Sequence, residues 1–301
     1  MRTPSRTRTT VLATRDYCHW IWLSGLLVVL TVAWTTAAHA GVTGRIVIAG
    51  YGPELPVLQD LARAFEKQTP GTAIDFNWDK TARAVELVKR GEAHIAVTDQ
   101  PDAALSHTQI AWDGIAVIVN FANPVKEVTT SQVRALLTGQ IARWSDLDGA
   151  DATVELLPRA PQANIATGLE LALGIPGKLT GRGRPIRIDQ QALSAISGHD
   201  TAVTYLSLNA ALQAQEDGTP IRILTIDQVE AGEPTVRDGR YKLRRPVLLL
   251  TMPQPDLLTT AFLAFAVSPA GQQLIRTMYV SVDVVTPPAN VQHKKPMAPS
   301  S

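Results

Sequence analysis

The stretch "GYGPELP" (Gly50–Pro56) places a carboxylate at a position that could bind an anion. It follows an apolar run that predicts a strand and precedes an amphipathic pattern, so a helix should begin beside Glu54. The N-terminus of a helix presents unpaired backbone N–H groups and a partial positive charge, which favour an anion. Glu54 therefore has two interpretations: it stabilises the start of the helix, or it degrades a site that would otherwise hold an external anion.

Three other polar residues have positions suited to binding. Arg159 in "LLPRAP" carries a planar guanidinium whose donor fork suits oxyanions. Thr81 in "WDKTARAV" stands at the start of a predicted helix, where its hydroxyl either binds an anion or caps the helix. Asp99 in "VTDQPD" ends a predicted strand, and taken alone it caps the turn that follows.

Catalytic and metal-binding patterns are missing from the sequence. It has no Gly-x-Ser-x-Gly or His-Glu-x-x-His motif, and the glycine spacing of "GYGPELP" does not suit a dinucleotide. The histidines outside the first forty residues are scattered: His94, His107, His199 and His293. Glu54 and Asp99 could exchange protons, but nothing indicates a substrate. We therefore predict no catalytic residue, no metal, no cofactor and no enzymatic activity.

Residues 1–40 have the pattern of a secretory signal peptide. A basic start leads into "WIWLSGLLVVLTVAW" and then "TTAAHA", which predicts cleavage after Ala40. An uncleaved membrane anchor is the alternative, but an apolar run of about 15 residues is short for a span. The single cysteine, Cys18, lies in this segment, so the mature chain has no disulfide. We expect a periplasmic or secreted protein with no membrane span after cleavage.

The charge of the mature chain argues against nucleic acid as a partner. Cleavage removes four arginines and one aspartate, which leaves 24 basic and 26 acidic residues and a net charge of −2. The 261 residues that remain of 301 are enough for two lobes with separate cores. Residues 284–301 are polar and rich in proline, and we predict a disordered tail there.

Short apolar strands alternate with helical patterns along the mature chain. Strands are predicted at "RIVIA", "AIDFNW", "HIAVTD", "GIAVIVN", "ATVELLPR", "PIRILTI" and "RRPVLLLTM", with helices between most of them. This alternation predicts an α/β fold with a mostly parallel sheet covered on both faces. The pattern changes after Asn120 and returns near Arg237–Pro246, so we predict that a second lobe is inserted in the first, with a ligand cleft between them.

Several stretches resemble the phosphate-binding proteins of bacterial ABC importers, in the type II periplasmic binding protein superfamily. They are "WDGIAVIVNFANPV", "LTGQIARWSDLDGAD", "AVTYLSL", "DGRYKLRRPVLLLT" and "AFLAFAVSPAGQQLI". The resemblance covers residues 44–282 and implies the two-lobed fold. It suggests lobe I at 41–119 and 240–283 and lobe II at 120–239. For Trp144 and Arg245 in these stretches we expect structural roles: Trp144 seals a helix onto the sheet, and Arg245 forms an ion pair near the hinge.

The resemblance also implies a ligand-binding set. The family binds phosphate through a hydroxyl and an aromatic residue in the first turn, a hydroxyl on the second helix, an aspartate, and an arginine followed by Ser-Gly-Thr. The aspartate excludes fully ionised sulfate by repulsion. This chain departs from the pattern at several positions, where a carboxylate and apolar groups replace hydroxyls. The matching positions here are Glu54, Leu55, Thr81, Asp99, Arg159, Ala163, Asn164 and Ile165.

Two functions stay open on this evidence. The first is a periplasmic solute-binding protein that delivers phosphate or a related oxyanion to an ABC importer, with an inner-membrane permease as a candidate partner. The second is a secreted domain of the same fold whose ligand is altered or lost and which serves as an accessory or partner-binding protein. Glu54 favours the second, because two like charges about 4 Å apart cost about 4 kcal/mol at an effective dielectric of 20.

Overall fold

The computed structural model describes residues 43–78, 83–160, 164–181, 185–186 and 188–282, with only the backbone given for Asn164. The predicted signal peptide and tail lie outside the described residues, as do Thr81 and Ala163. The described strands are β1 (Gly44–Gly50), β2 (Thr72–Trp78), β3 (Ile95–Thr98), β4 (Ser106–Asn120), β5 (Glu127–Val128), β6 (Glu155–Leu156), β7 (Ala202–Ser207), β8 (Ile221–Ile223), β9 (Thr225–Ile226), β10 (Arg244–Thr251) and β11 (Val280–Ser281).

The helices lie between these strands and cover them. They are α1 (Leu55–Gln68), α2 (Ala84–Lys89), α3 (Thr130–Leu137), α4 (Asn164–Leu173), α5 (Asp189–Gly198), α6 (Leu208–Glu216), α7 (Glu233–Arg237), α8 (Leu257–Ala266) and α9 (Pro269–Ile275), with a 3₁₀ turn at Trp144–Leu147. The α/β class predicted from the alternating pattern is therefore confirmed.

The first lobe is a sheet with a hydrophobic core on each face. β1 pairs in parallel with β2 and β3, and β10 runs antiparallel beside β3. Successive side chains of a strand point to opposite faces. Accordingly, Ile46 and Ile48 pack in the core beneath α1 and α8, while Ala49 packs in a second core with Val88 of α2. The prediction that both faces are covered is confirmed.

The long strand β4 belongs to both halves of the sheet. Its segment from Ser106 to Gly114 pairs with β10, and its segment from Ile115 to Asn120 pairs with β7 and β8. The pairing partner thus changes between Gly114 and Ile115, beside the point where β10 brings the chain back. The lobe limits stated above stay a prediction, and this change of partner is the feature that positions the site.

Three local features of the second lobe have their usual structural roles: a helix cap, a glycine that ends a helix and a buried tryptophan. Helix α3 begins with a capping box, in which the Thr129 hydroxyl accepts from Gln132 N–H and the Gln132 side chain accepts from Thr129 N–H. The chain leaves the helix through Gly139, whose φ of 72° suits glycine. Trp144 is 1% exposed, packs in the core of this lobe, and donates from Nε1 to the Thr201 carbonyl at 2.9 Å.

Two predictions about strands are wrong. The sheet is mixed rather than mostly parallel, because β10 returns antiparallel between β3 and β4, and β4 is antiparallel to β7 and β8. Two neighbouring strands that carry the chain out of a lobe and back into it must run in opposite directions. The strand predicted over Ala152–Arg159 is reduced to the two residues of β6, and Pro158, which has no N–H to donate, follows shortly after it.

Within the described part of the chain, no single helix is both long and apolar enough to cross a membrane. The pair α8 and α9 would satisfy length and composition together, but it bends by 63° at the break between the two helices.

Candidate ligand-binding site

A group of buried charges lies where β4, β10 and the glycine turn meet. Arg245 Nη1 is 2.7 Å from Glu54 Oε1, and Arg245 Nη2 and Nε are 2.8 and 3.0 Å from Asp113 Oδ2. Ser207 donates from its hydroxyl to the other oxygen of Asp113 at 2.6 Å. All three charged side chains are 1–2% exposed. We call Glu54, Asp113, Arg245 and Ser207 the hinge cluster.

Strand register explains how the hinge cluster forms. Arg245 and Asp113 are directly opposed in the antiparallel pair of β10 and β4, so their side chains leave the same face. The neighbouring Arg244 points to the other face and lies over the Trp112 ring, 3.9 Å from its centroid. The expectation of a structural ion pair at Arg245 is confirmed.

The side chain of Glu54 forms an ion pair rather than a helix cap. Glu54 is the N-cap residue of α1, but its side chain makes no capping hydrogen bond. It does not project into solvent either, because it is 1% exposed. Its carboxylate reaches across to Arg245, where burial makes the ion pair far more sensitive to loss of one partner than a surface pair is.

Burial and neighbouring charges shift the pKa values of Arg245, Asp113 and the nearby Tyr279. Burial acts to lower the pKa of Arg245, but the charges of Glu54 and Asp113 outweigh it and raise that pKa further above its ordinary value. Burial raises the pKa of Asp113, against the opposing effect of Arg245 and the Ser207 hydroxyl. Burial also raises the pKa of Tyr279, and the carboxylates Glu54 and Asp113 add to the rise.

Asp99 lies at the carboxyl end of β3, as the sequence predicts, and is 7% exposed. Burial raises the pKa of Asp99 to about 6; Arg245 opposes the rise and Glu54 adds to it. Asp99 is therefore electrostatically coupled to the hinge cluster. Its Oδ2 atom is buried and has no hydrogen-bond partner among the described residues. Such an oxygen is costly to leave unpaired, and a donor on a ligand would satisfy it.

Arg159 lies in the second lobe, where its backbone forms an isolated parallel bridge with Ile186. It is 7% exposed, and its Nη2 is 2.6 Å from Asp189 Oδ1 at the first residue of α5. Within the described part of the chain, Nε of Arg159 is buried without a hydrogen-bond acceptor. The charge of Asp189 also contributes to the raised pKa of Tyr279, which connects this pair to the surroundings of the hinge cluster.

Helix α4 packs directly on the hinge cluster. A β-carbon built at Gly168 would lie 2.7 Å from Arg245 Cδ, so this helix approaches the arginine as closely as a glycine permits. At the start of the same helix, Ile165 is 2% exposed and packs in the core of the second lobe. Leu55 is partly buried at the first turn of α1. Nothing is described of the side chains of Thr81, Ala163 and Asn164.

Sequence reasoning missed Asp113 and Asp189. Asp113 stands just before the apolar run "GIAVIVN", and an aspartate entering a fully buried strand was the available signal. Asp189 had no such signal. Among the described residues, no group of three His, Cys, Asp or Glu side chains could hold a metal ion.

A two-lobed α/β fold with buried polar groups near the crossing strands defines a class of binding proteins. The chain belongs to the PBP superfamily, whose domain model matches residues 35–270. This membership supports the prediction of a binding protein rather than an enzyme.

Similarity to individual curated proteins indicates a narrower group than the superfamily. The chain is 30% identical over 111 residues to the phosphate-binding protein PstS 2 of Streptococcus agalactiae. This match covers 35% of this chain and only 38% of that protein. A weaker but longer match, 18% identical over 242 residues, covers 76% of this chain and 86% of the phosphate-binding protein PstS of Borreliella burgdorferi.

Solved structures share the fold. A phosphate ABC transporter substrate-binding protein of Clostridium perfringens, solved with bound phosphate, superimposes with a TM-score of 0.68 at 24% identity, covering 79% of this chain and 100% of that one. An ABC-type phosphate transport receptor of Vibrio cholerae gives the same TM-score at 22% identity, with 79% and 99% covered. The predicted resemblance and fold are thus confirmed.

Proposed function

We propose that this protein is an exported solute-binding protein that binds phosphate or a related oxyanion between its lobes. In this function the protein would reside in the periplasm and deliver its ligand to an ABC permease of the inner membrane. The similarity to PstS proteins supports the assignment, although the strongest of these matches spans about two fifths of its relatives' length.

The observation that carries the proposal is a pair of complementary unpaired atoms. Asp99 Oδ2 is a buried acceptor and Arg159 Nε is a buried donor, and neither has a partner among the described residues. A protonated oxyanion carries both an acceptor oxygen and a hydroxyl donor, so one ligand could satisfy both. Both residues also occupy the positions that the resemblance assigns to ligand binding.

A second function is favoured by the hinge cluster. Glu54 stands at a position where the family resemblance implies a hydroxyl, and it is paired with Arg245 at 2.7 Å. A pocket with this carboxylate in place of a donor suits an accessory or partner-binding domain that no longer binds phosphate.

Titration calorimetry distinguishes the two. The mature chain, freed of carried ligand by unfolding and refolding, would be titrated with phosphate at neutral and mildly acidic pH, beside Arg159→Lys and Arg159→Ala variants. Micromolar binding that is lost in both variants supports an oxyanion receptor. The matched control is Arg240→Ala, because Arg240 forms an exposed pair with Asp238. Heat absent at every pH, or unchanged in the Arg159 variants, rejects the proposal and favours the second function.

A further inference from the structure

The site carries an unusual balance of charge. Around it the described residues supply four carboxylates, from Glu54, Asp99, Asp113 and Asp189, against two guanidiniums. Both guanidiniums are already paired inside the protein: Arg245 contacts two carboxylates and Arg159 contacts one. The site therefore has a net negative charge before an anion binds.

Asp99 supplies one of the two excess negative charges, and Glu54 supplies the other. Without Glu54, Arg245 and Asp113 would form a neutral pair across β10 and β4, stabilised by Ser207. Its charge extends beyond that pair, because it adds to the raised pKa of both Asp99 and Tyr279. Two further groups packed on Arg245 and Asp113 do not compensate: α4 contributes Gly168 against Arg245, and β7 contributes the Ser207 hydroxyl to Asp113.

We infer that Glu54 is a specificity-determining residue that restricts the site to monoanionic, protonated oxyanions, such as H₂PO₄⁻, and excludes dianions. This inference rests on the proposed function. A monoanion adds half the negative charge of HPO₄²⁻, and its extra hydroxyl can donate to Asp99 Oδ2 while an unprotonated oxygen accepts from Arg159 Nε. A dianion has fewer protons to give to the carboxylates and is repelled more strongly by Glu54.

The test compares anions of fixed and variable charge by calorimetry on the mature wild-type chain. Phosphate is titrated from about pH 8 to about pH 5.5, with hypophosphite as a permanent monoanion that has no hydroxyl and sulfate as a permanent dianion. We expect phosphate affinity to rise at least about tenfold as pH falls, hypophosphite to bind more weakly than phosphate at the lower pH because it has no hydroxyl to donate to Asp99, and sulfate to give no heat at the upper pH. Phosphate affinity that is constant or rises with pH overturns the inference while leaving the proposed function intact. Failure of every anion at every pH rejects the proposed function itself.

A Glu54→Gln variant tests the residue directly, because glutamine keeps the shape and removes the charge. We expect it to bind phosphate about tenfold more tightly at the upper pH and to show a flatter pH profile. Glu216→Gln, on the exposed end of α6, is the matched control and should behave as wild type. Wild-type affinity and pH dependence in folded Glu54→Gln, checked by its thermal melt, would assign the charge effect to other groups and overturn the role of Glu54.

Discussion

Replacing Arg245 by methionine should destabilise the protein severely. Methionine fills much of the same volume but leaves Glu54 and Asp113 buried without their cation. Breaking a buried ion pair by removing one partner costs about 3–5 kcal/mol. The Ser207 hydroxyl still stabilises one oxygen of Asp113, so we expect a loss of about 4 kcal/mol in the free energy of unfolding.

The pH dependence identifies the cause of that loss. A buried carboxylate without a cation binds its proton more tightly in the folded than in the unfolded state. The folded variant then binds more protons, so its stability falls as pH rises and recovers as pH is lowered. Urea unfolding of Arg245→Met and wild type at several pH values measures this difference directly.

Two further variants make the reasoning refutable. Arg63→Met removes an arginine whose side chain is 68% exposed beside Asp60, and it should cost at most about 1 kcal/mol. The triple variant Glu54→Gln, Asp113→Asn and Arg245→Met removes all three charges and should recover part of the lost stability. A loss in Arg245→Met no larger than in Arg63→Met, or one independent of pH, would show that the ion pairs do not hold the hinge cluster together.

Two other predictions concern neighbours of the hinge cluster. Asp99→Asn should raise the free energy of unfolding by about 2–3 kcal/mol above pH 6 and by little near pH 4. The reason is that burial raises the pKa of Asp99 to about 6, so that its ionisation opposes folding above that pH. Urea unfolding at both pH values measures this gain, and an equal gain at both would contradict the prediction. Gly168→Ala should cost about 1–3 kcal/mol, because the added methyl would lie 2.7 Å from Arg245 Cδ. Gly198→Ala, where a β-carbon has open space, is its control in thermal melts, and equal melting temperatures would refute the packing argument.

Local pattern was enough to predict the elements on which the site is built. Helix α1 begins beside Glu54 as predicted, because its buried face recurs at helical spacing and Pro56 stands in its first turn. The position of Asp99 at the end of β3 was predicted from the local pattern in the same way. Local pattern therefore predicts a helix or strand and the position of each residue along it.

The partner of each charge could not be predicted in this way. Arg245 and Asp113 are 132 residues apart, and they meet only because β10 returns beside β4 in one particular register. Local sequence did not identify the partner of Glu54 either, and the observed partner is Arg245. A buried charge is paired by the tertiary fold, so its partner is a property of topology rather than of neighbouring sequence.

The position of β10 also orders the events of folding. It is the only strand that joins β3 to β4 in the described sheet, yet it comes after residue 243. While the chain is being made, β3 and the first half of β4 have no strand between them. The backbone N–H and C=O groups on these two edges lack their hydrogen-bond partners in β10 until the last quarter of the sequence has been made. The first lobe therefore completes after the second has been made, and a chain truncated before Arg244 would expose two open strand edges to aggregation.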